Sequence, residues 1–441
     1  MDSVKHFESL YPQTTREAEI SALVPYIKKG LSVQLIGLPG GGKNNILNLL
    51  SYNKEVRAHN LKELEPYVHF VYLDCSELKE RSLLDTTKFF LISLSYSLNE
   101  RGMSPEAEQV NTFMKEALPF QDELILFQAL KQSIDFLCIE KELTVVFSLD
   151  RFSDYIPDVT NQFFNNLKIL RNRAKYRFSC IFAVGRPLEE LMEPSLFSDF
   201  YDFVVGNFIY VHLYDPTGMA FRFSYLEKTT GKKTGDAVKK DLITLTGGHG
   251  KLTRTAYEAV LSEKFEGPLS VFLLKKTAVQ GALYEIWLSL LPSEQLFLKS
   301  FIGKKTTEDV PEFLVKSGLI KEGVLQIGLF SEFINSLSIS TTEKVQIDPT
   351  TNEITKGGLP ISDLLSPSEF RLLLFLLENK GRICSKDEII ASTWKDTKTQ
   401  EGVTDQALDQ IIYRLRKKIE ADPNHPHYIQ TLKGRGYKFE D

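Results

Sequence analysis

Between Lys344 and Phe439 the spacing of apolar residues passes from two to three-and-four and back to two, and no other stretch constrains the local fold so tightly. Lys344-Val345-Gln346-Ile347-Asp348 alternates polar with apolar, as a half-buried strand does, and Pro349-Thr350-Thr351-Asn352 is a turn cluster. Glu353-Ile354-Thr355-Lys356 reads as a returning strand, followed by a Gly357-Gly358 turn. The helical period then begins. Ser366-Pro367-Ser368-Glu369 is a capping box with proline at the first helical position, and Phe370, Leu373, Leu374 and Leu377 follow at helical spacing up to Gly381. Ser385-Lys386-Asp387-Glu388 is a second capping box, opening a short helix through Ile389, Ile390 and Trp394. After a polar loop from Lys395 to Gly402, Thr404 is the expected N-cap of a third helix with a buried stripe of Leu408, Ile411, Ile412, Leu415 and Ile419. Two short runs, Tyr428–Leu432 and Tyr437–Phe439, flank Lys433-Gly434-Arg435-Gly436 and predict a hairpin with a basic turn.

Three helices and a two-stranded wing make a winged-helix plan, in which one helix fits the major groove of a duplex and the wing reaches its backbone or minor groove. The whole chain carries a net charge of −5, which on average disfavours a polyanionic partner. From Thr404 to Lys438, however, seven Lys/Arg stand against four Asp/Glu, a local basic face. The segments Leu365–Phe370, Ser385–Glu388, Tyr413–Ile419 and Thr431–Tyr437 resemble the output domain of OmpR/PhoB-type response regulators, over about a fifth of the chain. That resemblance implies a four-stranded N-terminal sheet, three helices and a C-terminal hairpin, with double-stranded DNA as partner. By position it implies Gln410, Tyr413 and Arg414 at base edges, Lys417 and Thr431 at phosphates, and Lys433 or Arg435 in the minor groove. Tyr413 departs from the basic residue often found there, so the recognised sequence stays open.

The receiver domain of such regulators is not apparent. Instead Val33-Gln34-Leu35-Ile36 is a short apolar strand, followed by Gly37-Leu38-Pro39-Gly40-Gly41-Gly42-Lys43-Asn44 and a helix through Ile46, Leu47, Leu49 and Leu50. Strand, glycine loop and helix are the context of a phosphate-binding loop: Gly37, Gly40, Gly41 and Gly42 let backbone N–H groups face phosphate oxygens, and Lys43 reaches them. Asn44 stands where that motif has the hydroxyl that binds Mg²⁺. Leu143–Asp150 is an apolar strand ending in an acid, so Asp150 is the candidate metal partner, with Mg²⁺ reached through nucleotide, and Arg151 follows where a hydrolytic site has an acid. The expected ligand is ATP or ADP, and efficient hydrolysis is not expected.

Val68–Leu73 and Phe178–Val184 are further buried strands, so strands and helices alternate as in a parallel α/β sheet. Arg16-Glu17, the glycine loop, Asp150, Gly185-Arg186, Gly247-Gly248-His249 and a trailing winged helix near residues 283–336 together resemble the STAND branch of AAA+ ATPases, near its ORC/Cdc6-like members. That resemblance implies Arg16 near the nucleotide base, His249 near the phosphates of a closed state, and nucleotide exchange coupled to self-association. His249 has an alternative reading as a helix-capping surface histidine, and Arg186 reads either as a sensor or as a plain surface charge.

The expected architecture is multidomain α/β: a P-loop AAA+ parallel sheet (1–205), a helical lid (206–275), a winged helix (276–337), a linker (338–343) and an OmpR-type winged-helix domain (344–441). Cys75, Cys138, Cys180 and Cys384 are far apart and read as small core residues, not metal ligands or disulfides. With no apolar run of membrane-spanning length and no secretory leader, a cytoplasmic location is expected. Three functions fit the sequence: a DNA-binding transcription regulator, expected as a homo-oligomer on DNA and switched by nucleotide or a protein partner; a DNA-remodelling ATPase resembling replication initiators; and a nucleotide-dead scaffold sensing a partner.

Overall fold

The computed structural model describes residues 6–302, 310–337, 344–348, 353–356, 359–394, 405–420 and 423–440. The predicted linker 338–343, the turns at 349–352 and 357–358, the loop 395–402 and the Thr404 cap lie outside these residues. The chain divides into two compact units, Met1–Ile243 with Gly247–Lys264, and Thr244–Thr246 with Phe265–Asp441.

The first unit is built on five parallel strands: β1 (Val33–Ile36), β2 (Val68–Asp74), β3 (Thr144–Asp150), β4 (Phe178–Val184) and β5 (Phe208–Tyr210). Their order is β2-β3-β4-β1-β5, so β4 separates the glycine-loop strand from the strand ending in Asp150. Every residue of β1 and β4 is buried, as expected for parallel strands covered on both faces. Helices α1 (Glu17–Lys28), α2 (Lys43–Tyr52) and α3 (Lys54–Leu61) contribute Ile20, Leu23, Leu47, Leu50 and Val56 to one core with Leu35, Phe70 and Ile181. A second buried cluster is aromatic: Phe152 packs edge-on to Phe182 at 4.9 Å, and Phe164 lies 5.7 Å from Phe197. Cys75, Cys138 and Cys180 are buried in this unit and Cys384 in the second, as a core reading requires.

Beyond β5, helices Pro216–Thr230, Asp236–Thr246 and Gly250–Ser262 follow. The second of these ends at Gly247 in the left-handed region, φ 63°, a conformation glycine adopts without strain.

The second unit opens with a short helix, Leu269–Leu274, and continues with helices Thr277–Leu288 and Pro292–Phe301, a two-stranded hairpin of β6 (Ile320–Lys321) and β7 (Val324–Leu325), and helix Gly328–Ser336. Fully buried Trp287 meets Phe330 edge-on at 6.2 Å in its core. The C-terminal domain then opens with an antiparallel sheet of β8 (Val345–Ile347), β9 (Ile354–Lys356) and β10 (Leu359–Pro360). Among the described residues this sheet has three strands where four were expected. β11 (Ile383–Cys384), β12 (Ile429–Leu432) and β13 (Gly436–Phe439) make the wing, in order β11-β13-β12, so the predicted hairpin gains a third strand. A Cβ on Gly436, at φ 118°, would lie 2.0 Å from the Cys384 carbonyl oxygen, so only glycine fits where these strands meet.

Both predicted capping boxes form. Ser366 Oγ accepts the Glu369 N–H at 3.3 Å and Glu369 Oε2 accepts the Ser366 N–H at 2.7 Å, and Ser385 and Glu388 do the same. The helix opened by Ser366, Pro367–Glu378, is rotated from the expected stripe: Leu372, Leu373 and Leu376 are buried, whereas Phe370, Leu374 and Leu377 are half-buried. Five leucines and two phenylalanines within eight residues (370–377) leave the phase ambiguous in sequence, and the actual phase turns Glu369 inward.

Candidate phosphate site and nucleic-acid face

Because β1 and β3 run parallel, the glycine loop and Asp150 lie together at the carboxyl edge of the sheet, where ligands of open α/β sheets bind. Gly40 and Gly42 hold φ of 70° and 117°. The loop carbonyls are engaged in succession. Lys43 Nζ donates to Gly37 O at 2.5 Å and Leu38 O at 3.1 Å, His249 Nε2 lies 2.8 Å from Pro39 O, the Lys251 N–H donates to Gly40 O at 3.0 Å, and Arg16 Nη2 donates to Gly41 O at 2.7 Å. With the carbonyls turned toward protein donors, the N–H groups at the start of α2, which no side chain caps, are the ones left for an anion.

His249 is fully buried and takes the Leu252 N–H on Nδ1 at 3.3 Å, capping helix Gly250–Ser262. The capping half of its alternative reading stands and the surface half does not. Burial lowers its pKa to about 4, opposed by the Pro39 carbonyl and reinforced by the cations Lys43, Arg16 and Lys251. It is therefore neutral, with the proton on Nε2. Burial likewise lowers Lys43 to about 8, against the pull of Asp150. Arg16, 5% exposed, also donates to the His212 carbonyl at 2.7 Å and to Glu19 Oε1 at 3.2 Å. It lines a cleft of about 520 Å³ with Thr14, Glu19, His212, Tyr214 and Asp215, room for a planar ring beside the loop. Arg186 is 6% exposed and pairs with Glu190 at 3.4 Å, so it is not a plain surface charge.

The phosphate cradle fits a nucleotide; the metal position fits less well. Asn44 Nδ2 donates to Asp150 Oδ2 at 2.5 Å and to Tyr72 Oη at 2.8 Å, and Tyr72 Oη donates to the same Asp150 oxygen at 2.8 Å. A Mg²⁺ ion there would meet an amide and a phenol competing for the carboxylate. Arg151, at φ 50° and 58% exposed, reaches only to 4.0 Å from Asp74. Sequence reasoning missed Tyr72, Glu19 and Lys251. Glu19 had a signal, an acid beside the apolar stripe of α1 three residues after Arg16; Tyr72 is on the same face of β2 as Phe70, and nothing in its neighbourhood marks it.

In the C-terminal domain, helix Asp405–Ile419 buries Leu408, Ile411, Ile412, Leu415 and Ile419 as expected. Gln410, Tyr413 and Lys417 are exposed on its other side, with the Lys417 ammonium 5.0 Å over the Tyr413 ring. Lys433 and Arg435 are exposed at the wing turn. Arg414 departs from its expected place at base edges: its side chain is 16% exposed and its Nε lies 3.9 Å from Glu369 Oε1, because Glu369 faces inward. Lys418 Nζ sits 2.6 Å from the same carboxylate, both groups buried. Thr431 is exposed, but its hydroxyl accepts Arg416 Nη2 at 2.7 Å, and Arg416 also holds the Ile429 carbonyl. Arg416 thus ties the helix to the wing.

This geometry defines a multidomain α/β protein: a parallel five-stranded sheet with a glycine loop at its carboxyl edge, and a C-terminal winged-helix domain. Residues 363–439 match the family described as "Transcriptional regulatory protein, C terminal". Among curated proteins, the chain is similar to the phosphate regulon transcriptional regulatory protein PhoB of Escherichia coli K12, 29% identical over 140 residues, covering 31% of this chain and 58% of PhoB. It is 37% identical over 101 residues to the sensory transduction protein RegX3 of Mycolicibacterium smegmatis, covering 22% of this chain and 40% of RegX3. The chain thus spans less than two thirds of either relative. Among solved structures, the Walker-type ATPase of Pyrococcus abyssi superposes with TM-score 0.43 at 14% identity, over 82% of this chain and 98% of that one. Among the described residues no helix is long and apolar enough to cross a membrane.

Proposed function

We propose that this protein is a DNA-binding transcription regulator whose P-loop unit is a switch set by ATP or ADP. The observation that carries the reading is the exposure of Gln410, Tyr413, Lys417, Lys433 and Arg435 on one winged-helix domain, while the buried stripe of the same helix holds the core. The engagement of the loop carbonyls by Arg16, Lys43, His249 and Lys251 supports a closed, nucleotide-holding state in the first unit. The Asn44–Asp150 contact and the basic Arg151 disfavour turnover, which supports a protein that reads nucleotide over one that spends it on remodelling. Duplex DNA is the partner. Pairing of two copies on neighbouring half-sites would make the second contact intramolecular and so raise affinity. Such a regulator would act in the cytoplasm.

The test is nucleotide analysis of the purified protein after denaturation, with titration calorimetry of ATP and ADP against wild type and Lys43→Ala. Bound nucleotide, lost in Lys43→Ala, supports the switch. Its absence in both, with DNA binding intact, leaves the partner-sensing scaffold as the better reading. DNA-stimulated turnover would favour the remodelling ATPase.

A further inference from the structure

β2 is an outer strand of the sheet, and a cleft of about 1170 Å³ runs along it. Its walls come from the end of α2, the start of α3 and helix α4 (Leu83–Glu100). The α4 wall is a helical stripe of Phe89, Ile92, Ser93, Tyr96 and Ser97, and Ile92 and Tyr96 remain 55% and 58% exposed. Opposite stand Tyr52 and Tyr72, ring centroids 6.3 Å apart.

The charges in this cleft are unevenly placed. At the amino end of β2, Arg57 Nε lies 3.0 Å and Arg101 Nη2 3.1 Å from one oxygen, Glu65 Oε1. Arg57 is 6% and Arg101 17% exposed, so two largely desolvated cations share one carboxylate, and burial together with Arg57 lowers Arg101 to about 10. The acids Asp74 and Glu77 lie at the other end of the strand, roughly 20 Å away, and Glu100 is taken by His6 at 2.7 Å. An anion beside the arginines would supply the missing negative charge, and the aromatic walls suit a flat apolar body.

We propose that this cleft binds a small aromatic anion, a carboxylate or phosphate ester, with its charged group at Arg57 and Arg101 and its ring between Tyr96 and the Tyr52/Tyr72 wall. Tyr72 makes the position consequential: its ring lines the cleft while its hydroxyl touches Asn44 and Asp150. That link to nucleotide rests on the switch reading; the ligand site itself does not.

The test uses 1-anilinonaphthalene-8-sulfonate as an anionic aromatic reporter on the full chain, without nucleotide. Saturable fluorescence is expected, displaced by benzoate or phenyl phosphate and not by benzyl alcohol. The more effective of the two anions identifies the source chemistry. Arg101→Gln is expected to weaken binding about tenfold, as loss of a charge-assisted contact does. Ile92→Ser with Tyr96→Ala, at exposed positions that leave the fold intact, is expected to abolish saturable binding. Unchanged binding in that double variant, displacement by benzyl alcohol as readily as by the anions, or no saturable signal at all would overturn the proposal.

Discussion

His249 Nε2 lies 2.8 Å from the Pro39 carbonyl while its Nδ1 takes the Leu252 N–H, so one imidazole both caps a helix and closes the glycine loop. The helix cannot swing away from the loop without losing that hydrogen bond, and the ring works in both roles only while neutral. His249→Ala is expected to cost about 1 kcal/mol of stability from the cap alone, and to speed nucleotide release. Stopped-flow chase of a fluorescent ADP analogue reads the second effect; an unchanged release rate would separate the cap from the gate.

Stability should also depend on pH through buried histidines. His249 is lowered to about 4 and His69 to about 3, the latter by burial and then by Arg101 and Arg57. Unfolded, each takes a proton near pH 6.5, so the unfolded chain binds more protons between these values. The stabilisation is complete above about pH 6.5 and is lost as pH falls toward 4, by a few kcal/mol in all. Urea midpoints at pH 7.5 and 5 measure it, and His249→Gln is expected to flatten the profile.

Asn44 occupies Asp150 with an amide N–H at 2.5 Å where a hydroxyl oxygen would serve a metal ion. Asn44→Ser is expected to increase the gain in ATP affinity that Mg²⁺ provides, by about tenfold for one recovered oxygen ligand. Calorimetry with and without Mg²⁺ checks it; equal Mg²⁺ dependence in both proteins would mean that the metal is placed by other groups.

Glu369 is a structural hub and not only a cap. It closes its own capping box, holds buried Lys418 at 2.6 Å and draws in Arg414. Glu369→Ala removes the carboxylate that buried Lys418 faces at 2.6 Å and is expected to destabilise the C-terminal domain by about 3 kcal/mol. Arg414→Ala should cost about 1 kcal/mol, a typical value for a partly exposed pair member. Thermal unfolding separates these from any effect on DNA.

The capping boxes, the buried stripe of Asp405–Ile419 and the strand–glycine loop–helix succession were legible because each is local: the signal lies within a few residues of its effect. The role of Glu369 was not, because its helix is apolar nearly all round and sequence could not fix which face turns inward. Arg414 followed the same error, since its placement depends on that face. Tyr72 joined the phosphate site only through strand order, which sets β2 beside β3, and no spacing in the chain encodes that adjacency. His249 was read from its glycines, but its burial against Pro39 depends on a contact across 210 residues.

The central claim is that the Lys417 surface and the wing turn meet duplex DNA. Fluorescence anisotropy of the full chain on a labelled duplex, titrated with salt, tests it most directly. If Lys417 and Lys433 each neutralise a phosphate, the slope of log affinity against log salt should fall by about one for each Lys→Ala change, and by about two in the double variant. A double variant that binds as tightly as wild type, with the same slope, would contradict the account.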